Sequence, residues 1–228
     1  MATSGTSNFV MDFTEIAEEA WERAGREMRS GYDLRTARRS FNLLTIEWQN
    51  RGINLWTVEE GSIPLLEGVS NYSLPADTID LLEQSVRTNA GSVSQQSDLS
   101  ITRIGVGIYS TIPNKLTQGR PIQVYVNRQG AAPEINVWPV PSDGSYTFIY
   151  WRMRRIQDAG TGVNTPDMPF RFYPALVAGL AYNIATKVPE LGQRLSILKD
   201  QYEEQFRLAA EEDREKVPFR AVPNMRMR

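Results

Sequence analysis

The spacing of apolar residues changes twice along the 228-residue chain, and this change restricts the folds that the chain can adopt. From about residue 12 to residue 52, apolar residues recur every three or four positions, which is the period of an α-helix. Between about 53 and 156 they alternate with polar residues or form short β-branched and aromatic runs, which is typical of strands. Helical spacing then returns toward the C-terminal end. The sequence therefore predicts an α+β protein.

The order of these segments predicts one four-helix bundle built from both chain ends, with an antiparallel β domain inserted between its second and third helices. The predicted division is a flexible leader at 1–11, a helical hairpin at 12–52, an inserted β domain at 53–158, helices that close the bundle at 159–216, and an extended C-terminal arm at 217–228. Within the β domain, residues 88–98 are almost wholly small and polar, which predicts a mobile loop. This loop is either an ordinary hairpin tip or a binding segment.

Helix boundaries in the first hairpin follow from capping residues. Asp12 followed by Glu15 resembles a capping box, so a helix should begin there and end at residues 30–31. Asp33 is expected to open the second helix, and Gly52 stands where a left-handed C-cap belongs. The apolar stripes of the helices predict a shared core, which includes Trp21, Phe41, Trp48, Leu180 and Ile184.

The middle segment contains six runs with strand character, at 55–58, 79–86, 99–104, 122–126, 135–138 and 146–153. The sequence Pro-Ser-Asp-Gly at 141–144 lies between the last two runs and predicts a hairpin turn. In the C-terminal part, Pro174 suits the first turn of an apolar helix that should end before Pro189. A final helix is expected from about Pro189 onward.

The composition removes most of the common catalytic machinery, because the chain contains no His and no Cys. Catalytic triads, imidazole bases, and metal sites built on sulfur or imidazole are excluded. No Gly-rich loop ends in Gly-Lys-Ser or Gly-Lys-Thr, and Gly105-Val106-Gly107 lacks the third glycine and a following helical pattern. The neighbouring carboxylates of Glu59 and Glu60 should face opposite sides of a strand. We therefore predict no enzyme activity, no cofactor and no metal.

The charged residues favour a protein that binds partners. The 25 basic and 27 acidic residues give a net charge of −2, which argues against a protein that coats duplex DNA. Arginine outnumbers lysine by 21 to 4, and the planar guanidinium suits interfaces. This bias indicates partner surfaces, although genome composition enriches arginine equally well.

Two groups of arginines are candidate interface residues. One group lies on one flank of the second helix, where it could contact phosphate, or form salt bridges with the acidic first helix or with a neighbouring subunit. The other lies in the C-terminal arm, whose prolines prevent a helix and whose apolar residues could anchor it to a partner. The candidate residues are Arg35, Arg38, Arg39, Arg220, Arg226, Arg228 and Phe219.

A third basic patch, at 151–155, alternates with aromatic residues along a predicted strand. Such interleaving occurs in proteins that bind single-stranded nucleic acid. It is explained equally well by the usual alternation of a strand, in which successive side chains point to the core and to the surface.

Four short motifs, in order, resemble the head-to-tail adaptor proteins of short-tailed bacteriophages, also called tail accessory factors or head completion proteins. Residues 42–53 (Asn-Leu-Leu-Thr-Ile-Glu-Trp-Gln-Asn-Arg-Gly-Ile) are similar to the end of the family's N-terminal helix, and 72–80 look like its Tyr-x-Leu-Pro-x-Asp strand entry. Residues 137–143 are similar to its Pro-x-Pro hairpin, and 172–176 to the start of its closing helices. The resemblance covers roughly residues 12–216.

This resemblance implies a structural virion protein that forms a ring, commonly of twelve copies, beneath the portal protein of a filled capsid. The ring extends the channel through which double-stranded DNA passes without sequence-specific binding, and it provides a platform for tail nozzle or tailspike proteins. The implied location is the head–tail junction of a virion assembled in the host cytoplasm, with no membrane contact. On this basis the C-terminal arm is expected to become ordered against the portal or an adjacent subunit.

Two alternatives from other classes stay open. The arginine patches could belong to a regulatory protein that binds nucleic acid, and a pair of carboxylates could serve a hydrolase that degrades cell walls.

Overall fold

A computed structural model describes residues 5–7, 9–52, 55–130 and 132–213. The predicted C-terminal arm at 217–228, with Phe219, Arg220, Arg226 and Arg228, lies outside the described residues. Within them, five α-helices are present: α1 (Phe13–Ala24), α2 (Gly31–Asn50), α3 (Val106–Thr111), α4 (Tyr173–Ala185) and α5 (Leu195–Glu212).

In the described residues between α2 and α4 there are ten strands: β1 (Val58–Pro64), β2 (Asn71–Ser73), β3 (Thr78–Thr88), β4 (Ser97–Ser100), β5 (Thr102–Ile104), β6 (Gln118–Gly119), β7 (Gln123–Asn127), β8 (Glu134–Trp138), β9 (Val140–Pro141) and β10 (Tyr146–Arg154). Most of the strand pairs are antiparallel. The predicted α+β class is thereby confirmed.

The chain divides into two compact units. The helical unit contains the residues up to Trp56 and those from Ile156 onward, and the β unit contains Thr57–Arg155. Each unit has its own apolar core.

The helical unit is organised around α4. This helix packs against α1, α2 and α5, whereas α1 and α2 make little contact with each other. Apolar residues cover α4 on all sides, and nine of its residues are buried. A helix without a polar face must be enclosed by its neighbours rather than occupy one corner of a bundle. The structure therefore does not support the predicted four-helix bundle.

The core of the helical unit contains the large side chains that the apolar stripes predict. Trp48, Leu180 and Ile184 are fully enclosed, and Trp21 and Phe41 are nearly so. This part of the prediction is confirmed.

Capping residues set the helix boundaries, with two differences from expectation. The capping box of Asp12 and Glu15 is present, but α1 ends at Gly25, whose φ of 100° closes the helix about one and a half turns earlier than predicted. Helix α2 is capped by Ser30, and Asp33 occupies the third helical position of a second capping box rather than the N-cap. Gly52 has the expected left-handed conformation, with φ of 81°.

Two further boundaries were predicted wrongly. Residues 55–57 form a 3₁₀ turn before β1, where a strand was expected. Residues 189–194 also form a 3₁₀ helix, so that α5 begins at Leu195 rather than near Pro189. Both Pro189 and Gly192 are poor helix formers, which explains the delayed start of α5.

The β unit contains two four-stranded sheets, with strand orders β1-β10-β3-β4 and β2-β8-β7-β5, and a short parallel pair of β6 with β9. Side chains from both sheets share one core, to which the first sheet contributes Phe148 and the second contributes Val124 and Ile135. The hairpin predicted at 141–144 is wrong, because β8 and β10 belong to different sheets. Asp143 instead accepts a hydrogen bond from the backbone N–H of Ser145, which stabilises a bend between the sheets.

Two other segments of the β unit correct the sequence analysis. Strands β3 and β4 pair as a hairpin whose connection is 89–96, so that both ends of the predicted loop at 88–98 belong to strands. A helix does follow Gly105, although none was expected there. It has six residues and no side-chain cap, which is why local patterns do not reveal it.

Candidate protein interface

One stripe of α2 points away from the core and combines aromatic, basic and apolar side chains. We call Tyr32, Arg35, Arg39, Leu43 and Ile46 the α2 outer face. Their spacing of three or four residues places them on one side of the helix. Tyr32 and Leu43 are each 64% exposed and Ile46 is 53% exposed.

The sequence of α2 explains why this stripe lies outside. Phe41, Leu44 and Trp48 define the buried side of the helix. Leu43 and Ile46 fall between those positions in sequence and are therefore turned toward the opposite side. A helix that exposes two large aliphatic residues next to arginines has the composition of a binding surface rather than of an ordinary solvated face.

The predicted arginine cluster lies on and beside this face. The guanidinium of Arg38 donates a hydrogen bond to the carbonyl oxygen of Gly160 (3.3 Å), and that of Arg39 donates to the hydroxyl of Thr36 (3.3 Å). Within the described ranges, no carboxylate lies within 4.0 Å of Arg35, Arg38 or Arg39. The salt bridges to the first helix that the sequence suggested are therefore not found there within one chain.

Lys187 adds a further positive charge near the α2 outer face. Its Nζ donates a hydrogen bond of 2.6 Å to the hydroxyl of Ser40, and that hydroxyl donates to the carbonyl oxygen of Thr36. Burial and the neighbouring charge of Arg39 lower the pKa of Lys187. Burial is the larger of the two causes, since it disfavours the charged ammonium, and the positive charge of Arg39 adds to it.

Helix α1 carries the opposite charge. Glu18 and Glu22 are exposed one helical turn apart, and in the described part of the chain neither forms an ion pair. We call these two residues the α1 acidic face. Glu19 differs, because it accepts a hydrogen bond of 2.7 Å from Arg23 on the same helix. The helical unit thus presents one basic and one acidic surface on different helices.

The basic patch at 151–155 has a structural role. Arg152 contacts Asp77 (2.6 Å) and Glu59 (2.9 Å), and Arg154 contacts Glu59 (2.5 Å). Their side chains are only 11% and 12% exposed. The hydrogen bond from Arg152 also lowers the pKa of Asp77. Because carboxylates hold both guanidinium groups, this strand does not offer them to single-stranded nucleic acid.

The same contacts show what Glu59 does. Its carboxylate holds two arginines, whereas Glu60 lies one position further along β1, opposite Trp151. The two carboxylates therefore do not form an acid–base pair. Among the residues that the structure describes, no three acidic side chains cluster in a way that could hold a metal ion.

A comparison with protein-family models gives a match to the SU10 adaptor protein family over residues 11–224. The chain belongs to the SU10 adaptor protein family. This is a family of phage head-to-tail adaptors, so the resemblance drawn from the four motifs is confirmed. None of the curated proteins with which the chain was compared matches it.

Membership in the SU10 adaptor family identifies a structural protein of the phage virion that associates with portal and tail components. In the described residues, no helix is both long enough and apolar enough to cross a membrane.

Sequence reasoning identified the arginines of this SU10 adaptor but missed Leu43 and Ile46. Both residues lie in the segment 42–53, which resembles the end of the family's N-terminal helix. The helical spacing does predict their position, because Leu43 and Ile46 lie on a different side of the helix from the apolar stripe that contains Leu44 and Trp48. A large aliphatic residue outside that stripe faces away from the core.

Proposed function

We propose that this SU10 adaptor assembles into a ring through lateral contacts between the α2 outer face of one copy and the α1 acidic face of the next. The observation that carries the proposal is the α2 outer face itself, where Arg35 and Arg39 have no carboxylate partner among the described residues and lie beside the exposed Leu43 and Ile46. Arginines next to an exposed apolar centre are typical of protein interfaces.

Charge complementarity argues for a second copy as the occupant. The basic α2 outer face and the acidic pair of Glu18 and Glu22 lie on different helices of the same unit. Two different, complementary surfaces on one chain produce a heterologous contact, and heterologous contacts generate rings when the rotation closes. A two-fold contact centred on the α2 outer face would instead place arginines opposite arginines.

Leu43 and Ile46 would supply the desolvated centre of this contact. Burying a large aliphatic side chain contributes roughly 1.5–3 kcal/mol, whereas an exposed ion pair contributes about 0–1 kcal/mol. The apolar pair is therefore expected to dominate the affinity of the contact. The charges are expected to set orientation and to disfavour the wrong pairing.

In the proposed assembly the ring contains twelve copies and docks beneath the portal protein. It extends the channel for double-stranded DNA without sequence-specific binding, and it offers a platform to tail nozzle or tailspike proteins. The work of the protein is assembly and not bond chemistry, and it takes place at the head–tail junction.

The experiment is sedimentation of purified portal complexes with the adaptor, followed by counting of the bound copies. The variant Leu43→Ser/Ile46→Ser should bind as incomplete rings or not at all, because its contact loses the apolar centre. The matched control is Ile197→Ser/Leu208→Ser on α5, which removes two side chains that are 59% and 48% exposed and should leave complete rings. Complete rings from both variants would contradict the proposed contact.

A second candidate uses the same surface. Because Arg35, Arg38 and Arg39 lack carboxylate partners within the described ranges, they could bind phosphate in a nucleic-acid-binding regulatory protein. Three phosphate contacts predict that the logarithm of DNA affinity falls with the logarithm of salt concentration with a slope of about −2.7. A slope of this size that falls to about −0.9 in Arg35→Gln/Arg39→Gln, with no binding to portal complexes, would favour this candidate over the ring.

A further inference from the structure

An apolar groove lies on the helical unit, away from the α2 outer face. Its volume is about 510 Å³, and its walls are formed by Phe9, Val10, Met11, Phe170, Arg171 and Tyr173. The rings of Phe9 and Phe170 lie 5.6 Å apart between centroids, yet these residues are 66% and 58% exposed. Paired aromatic rings that stay this exposed indicate a surface that another segment covers.

The described chain ends at the edge of this groove. The guanidinium of Arg171, which lines the groove, forms an ion pair with the carboxylate of Asp213. The side chain of Asp213 is only 2% exposed, and its second oxygen accepts a hydrogen bond of 3.4 Å from the backbone N–H of Leu55. Asp213 is the last described residue, so the remaining chain starts next to a groove wall.

The chemistry of residues 214–228 matches the groove. Val217 and Phe219 follow Asp213 by four and six positions, and Val222 follows shortly after. An extended chain advances about 3.3 Å per residue, so Val217 and Phe219 can reach roughly 13 and 20 Å from Asp213, and Val222 roughly 30 Å. Pro218 and Pro223 favour an extended backbone and reduce the entropy that is lost on docking.

We infer that the groove between residues 9–11 and 170–174 binds the C-terminal arm, residues 214–228, of the same chain. Phe219 is the anchor, placed against Phe9 and Phe170. Attachment at Asp213 keeps the arm at a high effective concentration beside the groove, so intramolecular docking is favoured over docking in a second copy. This inference does not depend on ring formation.

The absence of cysteine from the sequence allows a direct test by chemical cross-linking. The variant Val10→Cys/Arg220→Cys places one thiol on the groove and one beside Phe219, and leaves the anchor intact. A short bismaleimide added to dilute protein should produce monomers that carry one internal link, identified by mass after proteolysis. The control Leu43→Cys/Arg220→Cys places the first thiol on the α2 outer face, and should link at least roughly tenfold less.

Three results would overturn the inference. Linking of both variants to the same extent would mean that the arm samples the whole surface. Linked dimers without internally linked monomers would mean that the arm occupies a second copy. Failure of the groove variant to link, with the far-ultraviolet circular dichroism and melting temperature of the parent, would mean that the arm does not reach the groove.

A second variant tests the anchor. Adding Phe219→Ser to the groove variant should lower the rate of internal linking by roughly tenfold, since it removes one buried aromatic side chain. Adding Asn224→Ser, a polar change in the same arm, should leave the rate unchanged. Equal rates in the two variants would contradict the role of Phe219.

Discussion

The indole Nε1 of Trp48 donates a hydrogen bond of 2.9 Å to the hydroxyl of Tyr202, across a separation of 154 residues. That hydroxyl in turn donates to the carboxylate of Glu47 at 3.0 Å. At the C-cap of α2, the guanidinium of Arg51 contacts both oxygens of Glu203 at 2.9 and 3.0 Å. This network joins α2, from the first part of the chain, to α5, from the last.

Substitution of Trp48 should be among the most damaging changes in the helical unit. Trp48→Ala should lower the free energy of unfolding by roughly 3–5 kcal/mol through lost burial and a residual cavity. Tyr202→Phe should cost about 1–3 kcal/mol, because it leaves the buried indole N–H without its acceptor. Urea unfolding checks both values. A Trp48→Ala protein that unfolds at the parent's midpoint would show that this side chain is not part of the core.

Gly179 tests the close approach of α4 to its neighbours. A Cβ at this position would lie 2.7 Å from the ring of Tyr202 and 3.0 Å from Leu44. Gly179→Ala should therefore lower the melting temperature by an amount that corresponds to about 1–3 kcal/mol, although alanine is the better helix former. Gly31→Ala is the control, since a Cβ there meets nothing within 4 Å. Equal melting temperatures for the two variants would contradict the packing described.

The ion pair of Arg51 with Glu203 predicts a pH dependence. The hydrogen bonds from Arg51 hold the pKa of Glu203 below its ordinary value of 4.5. Between the pKa of Glu203 in the folded protein and its pKa in the unfolded chain, the unfolded chain binds more protons. The contribution of this ion pair to stability is therefore present above the unfolded pKa and is lost as the pH falls through the folded pKa. Glu203→Gln should flatten the loss of stability between about pH 5 and pH 3.

At neutral pH, Glu203→Gln should cost no more than about 1 kcal/mol, because the pair is partly exposed. Glu204→Gln is the control, since this carboxylate forms no ion pair among the described residues. Identical pH profiles for the two variants would show that the ion pair does not contribute to stability in acid.

The division of the chain predicts how a cleaved protein behaves. A protease site placed in the 89–96 connection separates α1 and α2 from α4 and α5, yet α4 packs against both α1 and α2. Strand β3 also pairs with β10 across the cut. After cleavage, the two fragments should stay together in gel filtration under native conditions and separate only in denaturant. Separate elution under native conditions would contradict this account.

Local patterns in the sequence identify much of the fold. The alternation at 122–126 and 146–153 corresponds to β7 and β10, and the apolar spacing around Trp48 marks α2. The pairing of strands depends on contacts between distant segments, which is why 141–144 resembles a hairpin turn but joins two sheets. The packing around α4 is likewise a tertiary property.

The candidate interface was predictable in part. The spacing of Arg35, Arg38 and Arg39 places them on one flank of a helix without knowledge of the fold. The roles of Arg152 and Arg154 were not predictable, because their partner Glu59 lies on a strand more than ninety residues away. The exposure of Ile46, by contrast, was predictable from its offset from the apolar stripe of Leu44 and Trp48.

The proposed contact between the α2 outer face and the α1 acidic face is the central claim, and charge exchange tests it most directly. The measurement is native mass spectrometry under conditions in which the unmodified protein forms rings. Three samples are compared: Arg35→Glu/Arg39→Glu, Glu18→Arg/Glu22→Arg, and an equimolar mixture of the two variants. Each variant alone places like charges across the contact and should stay monomeric. The mixture restores opposite charges at every contact and should form rings with equal numbers of the two variants. Rings from either variant alone, or none from the mixture, would contradict the account.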